Sequence, residues 1–151
     1  MESLPRRRSP VSLLILDSSA TLAWIYGDET TEAIRQIFYL IAENGAVVPA
    51  LWRLEVANSL TFAIRKRRIN PDFRRAALAD LALLDITTDQ QTDSHAWTDT
   101  LDLADHFQLT VYDAAYLELA RRRELPLATL DQELRTAAMA AGVTLLGSDP
   151  T

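Results

Sequence analysis

The sequence contains no cysteine, which excludes a disulfide scaffold, thiolate zinc, an iron–sulfur cluster and a cysteine nucleophile. Two histidines, His95 and His106, are all that remains for imidazole chemistry, and Lys66 is the sole lysine. Four glycines leave little for phosphate-cradling loops, and neither the P-loop nor the dinucleotide-binding glycine pattern occurs. No apolar stretch approaches the ~20 residues that cross a bilayer. The cations Arg6, Arg7 and Arg8 resemble the start of a secretory leader, but the apolar run Val11–Leu16 that follows is short and ends at Asp17, so no leader is expected. These absences predict a soluble, cytoplasmic chain without a membrane segment.

What is present describes one ordinary domain. The chain has 151 residues, of which 48% are hydrophobic and 24% charged, enough to bury a single core. Residues 1–10 read as a loose arm, 11–147 as the domain and 148–151 as a tail. The net charge is −6, which argues against a general nucleic-acid binder. The cations are clustered, however: Arg65, Lys66, Arg67 and Arg68 form one run and Arg121, Arg122 and Arg123 another. Such runs serve either to complement a helix C-terminus or to meet phosphate, for which arginine is suited.

The hydropathy pattern alternates between strands and helices. Short apolar runs at Leu13–Leu16, Ala46–Val48, Ile86–Thr87, Leu127–Thr129 and Val143–Leu146 predict five strands, the first of them a continuous run as expected of a strand buried on both faces. Between them, helical periodicity predicts helices over 20–26, 30–43, 51–67, 71–84, 93–106, 113–123 and 132–141. Asn70-Pro71 supplies one start signal, and Asn44-Gly45 and Gly142 supply stops. Strands separated by helices imply an α/β fold with a parallel sheet covered on both faces.

Ligands of such sheets lie outside the carboxyl ends of the strands, so acids there carry more weight than others. Asp17 directly follows the first strand, Asp131 follows the fourth, and Asp113 opens the helix after an extended stretch 109–112. Aspartate is also a favoured N-cap, and each of the three has that structural alternative. Glu55 is different: on a helical wheel it projects between Phe62 and Trp52, inside the apolar arc of its helix. A carboxylate there is costly unless it is paired or holds a metal, and Arg53 and Arg65, the candidate partners, point off the arc. Asp113 likewise falls within the arc of Tyr116, Leu117, Leu119 and Ala120. Carboxylates brought together repel one another unless a cation intervenes. In a chain without cysteine, a hard ion such as Mg²⁺ or Mn²⁺ is the natural counter-charge, and phosphodiester hydrolysis is the chemistry it serves.

Four segments carry a family likeness: Leu16-Asp17-Ser18-Ser19-Ala20; Leu51-Trp52-Arg53-Leu54-Glu55-Val56-Ala57-Asn58 after Pro49; Thr110-Val111-Tyr112-Asp113-Ala114-Ala115-Tyr116; and Leu127-Ala128-Thr129-Leu130-Asp131. With them the chain resembles the PIN-domain nucleases, and among these the VapC-type toxins of toxin–antitoxin pairs, over roughly Leu13 to Leu146. The resemblance implies a three-layer α/β/α sandwich on a parallel sheet of about five short strands, and a Mg²⁺- or Mn²⁺-dependent endoribonuclease. It maps Asp17, Glu55, Asp113 and Asp131 onto the family's acidic quartet as catalytic metal ligands, Asp17 and Asp113 foremost. Ser19 and Thr129 fall on small hydroxyl positions that orient those carboxylates. Arg65, Lys66, Arg67, Arg68, Arg121 and Arg122 would steer an RNA backbone. A cognate antitoxin protein and a homodimer, through residues such as Phe38, Phe62 and Phe73, are the implied partners.

Other readings are weaker. A phosphoacceptor receiver needs a lysine beyond the later strands, whereas Lys66 sits mid-chain. A haloacid-dehalogenase-like phosphatase needs a second aspartate where Ser19 stands. A catalytically silent module on the same fold, or a nuclease acting on DNA, remains as the alternative.

Overall fold

The computed structural model describes residues 13–148; the arm predicted at 1–10 and all but Ser148 of the tail lie outside them. In chain order the elements are β1 (Ile15–Leu16), α1 (Ser18–Ile25), a 3-10 turn (Gly27–Glu29), α2 (Glu32–Asn44), β2 (Ala46–Val48), α3 (Trp52–Arg65) and α4 (Pro71–Ala82). There follow β3 (Ile86–Thr88), α5 (Thr92–His95), α6 (Asp99–Phe107), α7 (Val111–Arg123), β4 (Leu127–Ala128), α8 (Gln132–Ala140) and β5 (Leu145–Leu146). Among the described residues no helix is long and apolar enough to cross a membrane.

The five strands form one parallel sheet in the order β3-β2-β1-β4-β5. Crossovers between parallel strands are right-handed. The chain steps one way from β1 to β3 and then returns across to β4 and β5, so α1–α4 cover one face and α5–α8 the other. Packing agrees: α1 lies against α2 and α3, while α7 lies against α6, α8, β1 and β4. The result is the predicted three-layer α/β/α sandwich. The direction of winding reverses between β1 and β4, and at such a switch point the loops diverge and open a crevice at the strands' carboxyl ends.

The core is built from the apolar runs read in the sequence. Leu14, Ile15, Leu16, Val48, Leu127 and Ala128 are buried on both faces of the sheet, with Ile34, Leu60, Leu117 and Leu134 packed from the helices. Burying a side chain of this size stabilises by roughly 1.5–3 kcal/mol. Local signals set the ends. The Asn70 side chain accepts from the Phe73 amide with Pro71 in the first turn of α4. Gly45 ends α2 at φ 87°, where a Cβ would come 2.8 Å from the Asp85 carbonyl oxygen, so both the dihedral and the space demand glycine.

Three local expectations are corrected. The helix read over 93–106 is two helices, α5 and α6, parted at Thr98, whose backbone is non-helical (φ −123°, ψ −97°). The stretch 109–112 is not extended throughout: Thr110 caps α7, which begins at Val111. On α3 the apolar arc is narrower than the wheel suggested. Trp52, Val56, Leu60 and Ala63 are buried, but Phe62 is 56% exposed. Of the proposed interface aromatics, Phe38 belongs to the core, stacked on Trp24, whereas Phe62 and Phe73 are exposed.

Candidate active site

Asp17 and Asp131 sit on loops leaving the two strands that flank the switch point, and Glu55 and Asp113 in the first turns of α3 and α7. Helix N-termini carry partial positive charge and unpaired amides, which favours carboxylates there. Asp17 and Asp131 are indeed N-caps: the Asp17 Oδ1 accepts from the Ala20 amide at 2.9 Å and the Asp131 Oδ1 from the Leu134 amide at 2.9 Å. Asp113 is not a cap, because Thr110 Oγ1 performs that role by accepting from the Asp113 amide.

Around Asp17 the packing is tight. The carboxylate is 3% exposed, Ser19 Oγ donates to Oδ1 at 2.8 Å and Thr129 Oγ1 donates to Oδ2 at 2.5 Å. Those hydroxyls accept in turn, Ser19 from the Leu130 amide and Thr129 from the Asp131 amide. One network therefore couples the loop after β1 to the loop after β4. Behind it, Arg135 donates to the carbonyl oxygens of Thr129 and Leu146, pinning the ends of β4 and β5.

Electrostatics brings the four acids into one neighbourhood. Burial pushes the Asp113 carboxyl up to about 6, with Asp131, Asp17, Glu55 and Glu133 adding repulsion. Burial likewise raises Asp17 to about 6, although its amide and hydroxyl donors oppose the rise and Asp131 adds to it. Among the described residues the charges that act most on Asp113 are thus carboxylates. Oxygen donors without an interleaved cation suit a hard divalent ion, Mg²⁺ or Mn²⁺, better than a soft one, so the residues present fit such an ion.

Glu55 has neither of the arginine partners considered from sequence. Its Oε1 accepts from the Tyr116 hydroxyl at 2.6 Å. Tyr116 is 1% exposed, and burial followed by the bond to Glu55 holds its phenol firmly protonated. Sequence reasoning placed Tyr116 in an apolar arc and missed this bond, together with the fifth acid Glu133. A buried tyrosine hydroxyl needs a partner, and that rule was the available signal.

The arginine runs lie apart from the acids. Arg65 ends α3, ten residues beyond Glu55 or about 15 Å along the axis, and Arg121 and Arg122 are eight and nine residues beyond Asp113 on α7, about 12–14 Å away. Arg68 is engaged by Glu29 at 2.7 Å and lies over the Tyr26 ring. Arg122 is not available to a phosphate backbone. Its side chain is 18% exposed and donates to both oxygens of Glu118 and both of Asp89. Arg65, Lys66, Arg67 and Arg121 are exposed.

Glu118 also belongs to a second titratable cluster. The Nδ1 of His95 lies 3.0 Å from Asp99 Oδ2 and 3.6 Å from Glu118 Oε2, and these three ligand atoms are close enough to share an ion. Here Arg122 already supplies a cation, and the imidazole satisfies Asp99 by an ordinary hydrogen bond. This cluster has one cation and one imidazole partner within the chain.

A parallel sheet with acids at the carboxyl ends of the strands flanking its switch point defines a class of α/β site proteins. The PIN domain model matches residues 14–139, and the chain belongs to the PIN domain family. No curated protein is significantly similar to it. Among solved structures it is similar to PAE2754 from Pyrobaculum aerophilum, with a TM-score of 0.62 and 24% identity over 88% of this chain and 91% of that one. It is also similar to VapBC2 from Rickettsia felis bound to a DNA fragment from their promoter, with a TM-score of 0.62 and 13% identity over 91% and 99% of the two chains. At these identities the structural likeness speaks for the fold.

Proposed function

We propose that the chain is a Mg²⁺- or Mn²⁺-dependent endoribonuclease, the VapC-type toxin of a toxin–antitoxin pair. The observation that carries this reading is that Asp131, Asp17 and Glu55 all act on Asp113 by charge repulsion at the switch point, with the Asp17 and Asp113 carboxyls raised to about 6. Family membership supports a nuclease, and the likeness to VapBC2 supports an antitoxin partner.

Asp17 and Asp113 are the principal ligands, with Glu55 and Asp131 completing the set. When bound, the ion supplies charge stabilisation at a phosphoryl group and a more acidic water. The chain's own residues do the rest. Ser19 and Thr129 fix the Asp17 carboxylate, the α1, α3, α7 and α8 N-termini offset the crowding of negative charge, and a carboxylate of the cluster accepts the proton of the attacking water. Single-stranded RNA lies over the carboxyl ends of the strands, and exposed cations such as Arg65, Lys66 and Arg67 add a salt-dependent attraction. The exposed Phe62 and Phe73 are the candidate surface of a homodimer, to be checked by its mass in solution.

The test is cleavage of single-stranded RNA and DNA by the wild-type chain and Asp113→Asn, with Mg²⁺ and with chelator. RNA cleavage that needs the ion and falls at least about a hundredfold in the variant supports the reading. Equal activity in a folded Asp113→Asn chain overturns the assignment, and cleavage of DNA alone overturns the substrate.

A further inference from the structure

We propose that Tyr116 is a positioning residue of the acidic site: its hydroxyl holds one oxygen of Glu55 so that the other is presented to a divalent ion. This rests on the metal-dependent reading above and adds to it a residue outside the acidic quartet. Glu55 and Tyr116 are 61 residues apart in sequence, yet the Tyr116 hydroxyl donates to Glu55 Oε1 at 2.6 Å. They come from α3 and α7, the two helix layers on opposite faces of the sheet. Tyr116 follows Asp113 by three residues, so both side chains leave the same face of α7. Ser18, the neighbour of Asp17, lies close enough to the phenol to favour its ionised form, against the larger effect of burial. One buried hydroxyl therefore relates the chain positions of three of the four acids.

The chemistry of the pair fixes the direction of the effect. A phenol has one proton to donate, and burial keeps it in place. Glutamate has three side-chain torsions, and in the half-buried first turn of α3 the Tyr116 hydroxyl is the partner that selects among its rotamers. With Oε1 occupied by the phenol, Oε2 is the oxygen left for an ion. Carboxylates that ligate metals are commonly oriented by such hydrogen bonds, and removing one costs ~10–100-fold in affinity or activity.

The experiment measures Mn²⁺ affinity of the full chain by electron paramagnetic resonance. The variants are Tyr116→Phe, Glu55→Ala, the double variant and Asp113→Asn, with thermal unfolding in chelator to report the fold. Tyr116→Phe keeps the ring in the core and is expected to weaken Mn²⁺ about tenfold, while in the Glu55→Ala background it adds less than about twofold, since coupled residues are not additive. Unchanged affinity in Tyr116→Phe, or the same loss with and without Glu55, overturns the proposal. If Tyr116→Phe does not fold cooperatively, Glu55→Asp decides. It keeps the charge but withdraws it from the phenol, so wild-type affinity there overturns the proposal and about a tenfold loss supports it. Failure of the wild-type chain to bind Mn²⁺ sinks the metal-dependent reading and this one together. Loss of binding in Asp113→Asn with normal binding in Tyr116→Phe sinks only this one.

Discussion

Two groups of acids are built into this fold, and they are treated in opposite ways. Asp89, Asp99 and Glu118 are threaded with cationic or proton-donating partners: Arg122 bonds to two of them, and His95 bonds to Asp99. Burial raises the Asp89 carboxyl, but its bonds from Arg122 and Thr92 outweigh burial and hold it below the ordinary range. At Asp17 and Asp113 the sign is reversed, and both carboxyls rise to about 6. The same helix α7 carries members of both groups, Asp113 at one end and Glu118 and Arg122 toward the other. Among the described residues Arg122 serves the first group, whereas the groups that act most on Asp113 are carboxylates, an arrangement suited to a cation from outside. The lesson is that acids packed with their own cation and acids packed against one another are different environments, and the direction of the carboxyl shift tells them apart.

The largest test of this contrast is Arg122→Met. Breaking a buried pair strands Asp89 and Glu118, so stability should fall by about 3–5 kcal/mol in thermal or urea unfolding, while Mn²⁺ affinity changes little. A large loss of Mn²⁺ binding by a folded Arg122→Met chain would merge the two groups and defeat the comparison. Next comes the ion itself. At a hundred times its dissociation constant Mg²⁺ or Mn²⁺ should stabilise the wild-type chain by about 2.7 kcal/mol, seen as a rise in Tm, and Asp113→Asn should lose most of that rise.

Smaller still is the effect of Asp113→Asn without metal. A carboxyl raised from 3.8 to about 6 binds more protons folded than unfolded between those values, so stability declines as pH rises through that window and stays low above it. Removing the charge should therefore stabilise the ion-free chain at pH 8 by about 1–2 kcal/mol, discounted for partial exposure, and by little at pH 4. A variant less stable than wild type at pH 8 would contradict the repulsion. The smallest effect belongs to Ser19→Ala, which leaves the Thr129 bond to Asp17 in place; a loss of about 1 kcal/mol or less is expected, measured by urea unfolding.

Much of the architecture was legible because it rests on local signals. Continuous apolar runs such as Leu13–Leu16 announce strands buried on both faces, and alternation with helices announces a parallel sheet. Asp17 and Asp131 stood out because strand ends and helix caps both leave marks in sequence. The break at Thr98 left no glycine or proline to betray it, and the capping role of Thr110 was masked by the more conspicuous Asp113. Glu55 was found by a wheel that also counted Phe62 as buried, which it is not; the carboxylate lies at the margin of the apolar stripe. Tyr116 and the engagement of Arg122 depend on contacts between layers, and strand order depends on pairing across the whole chain. Neither is encoded in any short window.

The winding reversal between β1 and β4 has a mechanical consequence. Asp17 and Glu55 come from the half of the chain that builds β1 to β3, and Asp113 and Asp131 from the half that leads into and beyond β4. An ion gripped by all four, as proposed, would be a bolt across the seam between two successive halves of the polypeptide. Backbone amides on both sides of that seam should exchange with deuterium more slowly when the bolt is in, as one cooperative unit.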